Sequence, residues 1–338
     1  MTLCYVELSG VSRELGRAEA ESAAAALGGG PASGSVGFDS LVSVLLPDTG
    51  AIRHLAGRLG LARRCLRPLA RGPEILDRIA AEGRRGESAA VRRLGSPGGA
   101  IDPSILLAGR RYVDGGGRID LGRPDHRYWL GADVTGEEWL FEEIGEIDRN
   151  GIAARRMPRM PFQRPVSLPP RLARTAANLA RIRSGDRVLD PFLGTGALLA
   201  EAGLLGGQMF GIDRDAEMVR GALRNLDSLG LAAETVLEGD AGVVDFETEE
   251  VRFESILTDP PYGRSSTTGG ESADDLVARV LPRWARRVVP GGRIVLVVPQ
   301  TARPLPMLGE PEFAASLRVH RSLTREFRVY RVANRTAR

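Results

Sequence analysis

Short apolar runs and amphipathic stretches alternate from residue 186 onward. The runs lie at 187–190, 208–213, 234–238, 254–258 and 294–298. Between them come stretches of helical period near 196–206 and 215–229, and a third from the end of a polar loop (264–272) to about Val289. Val219, Leu223, Leu226 and Leu229 share one stripe of the second of these helices. Strand–helix alternation predicts a parallel sheet with right-handed crossovers. Two last runs, near 317–321 and 326–332, are joined by a short link and predict an antiparallel hairpin.

The pattern before residue 186 is looser. A helix is predicted from about Ser12 to Leu27, stopped by Gly28 and followed by a Gly/Pro/Ser connector to Gly37. Leu41 to Leu46 reads as a short buried strand ended by Pro47-Asp48, and Thr49 to Leu61 as a helix. Residues 72–100 resemble helix then strand. Tyr128, Leu130, Ala132 and Val134 alternate with polar positions, and Trp139-Leu140-Phe141 begins another run, so 101–150 reads as strand-rich around the turn Arg123-Pro124-Asp125. Five prolines within 151–170 exclude a helix and predict an extended linker. A helix then opens at Pro170, with Leu172, Ala176, Leu179 and Ile182 on one face. The expected division is a first α/β subdomain over 1–55, a second domain over 56–150, a Pro/Arg-rich linker over 151–169 and an α/β sheet domain over 170–338.

Composition narrows the chemistry. All 46 basic residues are arginine, which excludes Schiff-base lysines, lysine general bases and Walker-type phosphate loops. Two cysteines (Cys4, Cys65) cannot build a disulfide framework or a thiolate zinc site, and His54, His126 and His320 lack ligand spacing, so no metal is expected. No apolar run approaches the ~20 residues of a membrane span, and Met1 to Glu7 does not read as a secretory signal; the expected location is the cytoplasm. Charge comes in blocks. Residues 53–111 carry 13 arginines against 5 acids, 151–185 carry 8 against none, and 283–338 carry 12 against 3; the intervening blocks are acidic. Solvated faces normally mix signs, so the acid-free block points to a polyanion such as a nucleic acid, although any single arginine reads as ordinary surface.

Four strand ends carry candidate chemistry. The first, Asp190-Pro191-Phe192-Leu193-Gly194-Thr195-Gly196, is a glycine turn opening a helix, where backbone N–H groups meet a ligand closely. It is not the three-glycine dinucleotide fingerprint, and its carboxylate suits an ammonium or sulfonium rather than a pyrophosphate. The second ends in Asp213, placed to accept ribose hydroxyls or to compensate a helix N-terminus beside Asp215 and Glu217. The third ends in Asp240-Ala241, where a carboxylate can accept the amine of adenine. The fourth is the most specific: Asp259-Pro260-Pro261-Tyr262-Gly263. Its prolines remove two N–H donors and fix the chain, so the Asp259 carboxylate and the Pro260 carbonyl can both accept from one conjugated –NH2 group. Accepting both N–H bonds localises the nitrogen lone pair and stabilises the charge that develops as a methyl arrives. Tyr262 offers a face for stacking an extruded base. The alternative is a structural Asp-Pro-Pro turn with Tyr262 plugging the sheet edge.

These residues resemble the S-adenosylmethionine-dependent amino-methyltransferases of nucleic-acid bases. The stretch from Asp259 to Ser266 is similar to the form found in the THUMP-domain tRNA guanosine-N2 methyltransferases, as are Arg164-Pro165, Leu168 to Arg174, Asn178-Leu179, the hairpin segment His320 to Arg325, and Ile119 to Asp125 with Gly122 where Asn is commoner. The resemblance covers most of 101–338, and 1–100 only in layout. It implies a Rossmann-like class I methyltransferase sheet of seven strands with an antiparallel last hairpin, a ferredoxin-like subdomain over 1–55 and a THUMP domain over 56–150. It further implies S-adenosylmethionine as cofactor and tRNA as substrate, with methylation of guanosine N2 at position 10, once or twice; a small activating partner subunit is left open. Asp190, Phe192 and the Gly194-Thr195-Gly196 turn would hold the methionine part of the cofactor, Asp213 the ribose, and Asp240 with Ala241 the adenine. Asp259, Pro260 and Tyr262 would handle the guanine. Two readings compete: an adenine-N6 (or other guanine-N2) methyltransferase on RNA or DNA, and a non-catalytic tRNA-binding scaffold.

Overall fold

The two sequence regimes become two sheets. A computed structural model describes every residue except 34–36, 96–101, 165–166, 247–250, 263–270, 321–322 and 334–338. It divides into two units: Met1–Gly57 with Ala62–Ile147, and Arg58–Leu61 with the chain from Asp148 onward.

The first unit runs β1 (Thr2–Leu8), α1 (Arg13–Ala26), β2 (Gly30–Pro31), β3 (Leu41–Leu46), α2 (Thr49–Arg58), β4 (Ala62–Arg71), α3 (Ile75–Glu82), β5 (Ser88–Arg93), α4 (Pro103–Asp114), β6 (Arg118–Ile119), β7 (His126–Ala132) and β8 (Glu138–Glu143). Its sheet order is β2-β3-β1-β4-β8-β7-β5-β6. Because β1 pairs with both β3 and β4, the boundary expected near residue 55 falls inside one continuous sheet. The pattern did not reveal β4, because arginine interrupts its alternation. Arg64 is held at the strand by Glu7, 2.7 Å away on β1, and lies 3.5 Å over the Trp129 ring. The stretch read as strand-rich also contains a helix, α4. Asp102 caps it by accepting the Ser104 N–H at 2.9 Å, and Pro103 opens it.

The second unit runs α5 (Arg149–Ala154), α6 (Pro170–Leu179), β9 (Arg187–Asp190), α7 (Ala197–Leu204), β10 (Gln208–Asp213), α8 (Ala216–Ser228), β11 (Thr235–Glu238), β12 (Phe253–Thr258), α9 (Ala273–Ala285), β13 (Val288–Pro299), β14 (Phe313–His320) and β15 (Leu323–Arg331). The order is β11-β10-β9-β12-β13-β15-β14; the first five strands are mutually parallel, and β15 pairs antiparallel with both β13 and β14. Central strands buried on both faces explain the unbroken apolar runs Ile256-Leu257 and Ile294 to Val298. Under α9, Trp284 is fully buried against Phe246 and Phe253, and its indole N–H donates to the Ala241 carbonyl at 2.8 Å. The α8 stripe is narrower than predicted: Val219 and Leu226 are buried, Leu223 is exposed. The helix expected to reach Val289 stops at Ala285, and Val288 already belongs to β13.

The proline-rich stretch is not a free linker. Its prolines exclude a helix only where they stand, and α5 ends at Ala154 before Pro158. Beyond it Phe162 is buried, exchanging backbone hydrogen bonds of 2.9 and 3.0 Å with the Asn225 side chain of α8. A Cβ at Gly221 would lie 2.1 Å from the Phe162 ring, so glycine makes room for this strap. The acid-free block is also not left bare. Arg155 and Arg174 both hold Glu201 of α7, at 2.7 and 2.6 Å, and Arg164 pairs with Glu217 at 2.6 Å. Charges segregated along the sequence are therefore partly interleaved in space.

Glu201 is 1% exposed. Glu201→Ala would leave two buried guanidinium groups without their anion, and stability in urea unfolding is expected to fall by about 3–5 kcal/mol. Glu21→Ala, at an exposed helix pair, is expected to change it by less than about 1 kcal/mol.

Candidate active site

All strands of a parallel sheet end on one edge, so the order β11-β10-β9-β12 lines up the four predicted strand ends. The centre of the row is Asp190, 2% exposed at the end of β9. Its Oδ1 accepts the Phe192 N–H at 3.0 Å and the Thr258 hydroxyl at 2.6 Å. Thr258 is the last residue of β12, so this bond ties Asp190 to the residue before Asp259. Burial, reinforced by the charges of Asp259 and Asp213, pushes the Asp190 carboxyl up to about 7 against the pull of those two donors.

Asp213 closes the neighbouring turn. Its Oδ2 accepts the Gly194 N–H at 2.7 Å and its Oδ1 the Asp215 N–H at 3.0 Å; burial raises its pKa. Gly194 has φ +54°, and a Cβ there would find no atom closer than 3.9 Å, so the turn is open on that side. At Gly196 the reason for glycine differs: φ is +78° and a Cβ would stand 3.1 Å from the Ala222 Cβ of α8. Thr195 faces the protein instead. Its hydroxyl lies 2.9 Å from that of Ser167, and its carbonyl accepts from Asn225 at 3.0 Å.

After β11, Asp240 is gripped through both oxygens by Arg279 of α9, at 3.0 Å each, and Arg279 also holds Glu271. This pair keeps the Asp240 pKa below the ordinary range. Gly242 leaves room for the grip, since a Cβ there would meet Arg279 at 1.9 Å. The adjacent Ala241 is buried, its carbonyl taken by Trp284.

Asp259 follows β12 and is largely buried, side chain 16% exposed, with its Oδ1 hydrogen-bonded to Arg325 of β15. Desolvation lifts its carboxyl to about 6 against the pull of Arg325. Pro260 is buried behind it. Tyr262 packs on the core around Trp284 and lines a cleft of about 70 Å³ with Val298, Leu305 and Arg328. Burial and the Asp259 charge keep its phenol neutral. Gly263 to Ser266, most of the expected polar loop, Pro165 and Arg321-Ser322 lie outside the described residues.

The structure thus joins the Asp190 and Asp213 turns by hydrogen bonds, sets Asp259 beside them through Thr258, and turns Asp240 toward α9. The sequence assigns no site role to Thr258, Arg279 or Arg325, although Arg325 ends the hairpin segment that resembles the family. Thr258 adjoins a motif, but Arg325 is one arginine among many until the sheet pairs. Among the described residues no cluster of His, Cys, Asp and Glu is arranged to hold a metal ion, and no helix is long and apolar enough to cross a membrane.

A buried carboxyl whose pKa is raised on folding destabilises the folded state as pH climbs from its unfolded value near 4 toward 7. Asp190→Asn keeps the acceptor for Thr258 and Phe192 without the charge. It is expected to stabilise the chain by about 1–4 kcal/mol at pH 8 in denaturant unfolding, and the gain should shrink toward pH 4.

The family model of the RMKL-like methyltransferase domain (UPF0020) matches residues 158–326. The chain is 38% identical to the tRNA (guanine(10)-N2)-dimethyltransferase of Methanothermobacter thermautotrophicus over 194 residues, 56% of each protein. It is 31% identical over 166 residues to a probable tRNA (guanine(10)-N2)-dimethyltransferase of Methanothermococcus thermolithotrophicus, covering 48% of this chain and 98% of that one. For the longer curated relatives the match spans 56 to 63% of their length. Among solved structures, TrmN of Thermus thermophilus superposes with TM-score 0.51 at 22% identity, over 98% of this chain and 100% of that one. SMU.472, a putative methyltransferase complexed with SAH, does so with TM-score 0.51 at 13% identity over 100% of both. The fold is that of the class I methyltransferases. With a parallel sheet of this order, carboxylates at its strand ends and an Asp-Pro-Pro-Tyr turn after β12, the chain belongs to the RMKL-like methyltransferase-domain family.

Proposed function

We propose that this chain methylates the exocyclic N2 amine of a guanosine in tRNA, at position 10, with S-adenosylmethionine as methyl donor, in the cytoplasm. One observation carries the reading. A desolvated carboxylate, Asp259, is held by Arg325 on a turn linked through Thr258 to Asp190. Relatives named for guanine-10 N2 methylation are 31 to 38% identical to this chain over 166 to 194 residues, which supports the reading.

The residues fit the methyl donor. The turn at Gly194 is open, and the desolvated carboxylates Asp190 and Asp213 suit a ligand bearing positive charge. Asp190, Phe192 and the turn at Gly194-Thr195-Gly196 would hold its methionine part, Asp213 its ribose, and Asp240 with the Ala241 backbone its adenine. Thr195 would act through its backbone, because its hydroxyl is engaged with Ser167. The bound donor supplies an electrophilic methyl group on a sulfonium. The chain's own work is placement and charge. Asp259 and the Pro260 carbonyl accept the two N–H bonds of the target amine, which turns its lone pair toward the methyl carbon and stabilises the ammonium that forms. Tyr262, neutral and anchored on the core, stacks on the extruded base. The first unit carries the THUMP role and binds tRNA through shape and phosphates, with exposed arginines such as Arg84, Arg110 and Arg123 as contacts.

Incubating the chain with unmodified tRNA and S-adenosylmethionine, then digesting to nucleosides, is expected to give N2-methylguanosine, with or without the dimethylated form, mapped to position 10. N6-methyladenosine as product would overturn the choice of amine. Asp259→Ala is expected to reduce transfer at least ~10³-fold while tRNA affinity stays within about twofold. Retained transfer would remove Asp259 from its role as acceptor.

A further inference from the structure

We infer that Arg325 is the positioning residue of the transfer site: it holds Asp259 as an anion and commits one carboxylate oxygen, leaving the other for the target amine. The inference rests on the methyl-transfer reading above.

Topology brings Arg325 there. It lies near the start of β15, and a parallel strand would start at the opposite edge of the sheet. Because β15 is antiparallel, its register sets Arg325 opposite Pro299, the last residue of β13, and β13 is the neighbour of β12. The terminal hairpin therefore delivers a cation to the end of β12. Both partners are shielded, with side chains 12% and 16% exposed. Arg325 donates to Asp259 Oδ1, and the second oxygen of the carboxylate is the one proposed to meet the amine.

The surroundings leave this task to Arg325. From β9, Asp190 faces Asp259 with a charge of the same sign. The Tyr262 phenol stands near Asp259, with Arg328 of β15 and Asp274 of α9 acting on that phenol. Among the described residues Arg325 is the cation that acts on Asp259 directly and opposes its desolvation. A protonated Asp259 would present an O–H donor to an amine that needs acceptors. With Arg325 in place, Asp259 meets the amine as an anion. When the C–N bond has formed and the S–CH3 bond has broken, the proton of the methylated ammonium passes to Asp259 and from there to solvent. Arg325 stays charged throughout.

Two measurements on the full chain test this. The first is the pH dependence of single-turnover transfer to tRNA for the unaltered protein, Arg325→Gln and Arg325→Lys. The second is the titration of the Asp259 carboxyl by 13C NMR without substrate, assigned with Asp259→Asn. In the unaltered protein the acidic limb and the carboxyl midpoint are expected to coincide near pH 6. Arg325→Gln should raise both by at least about one unit, so transfer falls at least about threefold at pH 6.5 and recovers toward pH 8.5. Arg325→Lys should restore part of the shift, because it keeps the charge and loses the planar fork. A carboxyl midpoint unchanged in Arg325→Gln, or a loss of transfer equal at every pH, would overturn the inference. If the unaltered protein fails to methylate tRNA, the functional reading falls; the NMR titration still decides whether Arg325 holds Asp259 charged.

Discussion

Asp190 and Asp259 end adjacent parallel strands, and Asp213 ends the next strand over, so three carboxylates share one poorly hydrated edge. Parallel geometry makes this crowding unavoidable, because every strand of the crossover series finishes on the same side. Bringing like charges out of water is costly, and the structure meets that cost with donors. The Phe192, Gly194 and Asp215 N–H groups, the Thr258 hydroxyl and the Arg325 guanidinium each take a carboxylate oxygen. The glycine turn follows from the same demand: Gly194 adopts φ +54° with its N–H bonded to Asp213.

The supporting shell is built from arginine. A guanidinium can hold two oxygens at once, and the chain uses this repeatedly: Arg155 with Arg174 on Glu201 beneath α7, and Arg279 on Asp240 and Glu271 beside β11. Many arginines that look like a polyanion surface in the sequence are spent inside the fold. Others, Arg156 and Arg159 among them, stay exposed on the strap between α5 and α6.

The strap explains why the matched family domain starts at residue 158, ahead of the first sheet strand. Phe162 seats on Gly221 and Asn225 of α8, and Asn225 also holds the Thr195 carbonyl in the turn that opens α7. The segment is thus part of the scaffold of the turn. The match extends to residue 326 and includes Arg325, so both flanking supports of the site belong to the shared domain.

Local sequence decided a good deal. Apolar runs bounded by glycine and acid marked β9, β10, β12 and β13, because strands buried on both faces need no alternation and are short enough to stand out. Helix α1 declared itself through Ser12 and Gly28, and the two prolines after Asp259 fixed a turn whose chemistry follows from missing N–H donors. Pairing over long separations decided the rest. That β4 lies between β1 and β8, that the proline-rich stretch folds onto α8, and that Asp240 turns to Arg279 depend on contacts tens of residues apart, which no local period encodes. Arg325 shows the difference most sharply. The sequence placed an arginine in a terminal hairpin, but only the antiparallel return of β15 against β13 set its charge on Asp259. A side chain's partner is fixed by which strand edges meet, and that is settled by burial over the whole sheet rather than by the residues beside it.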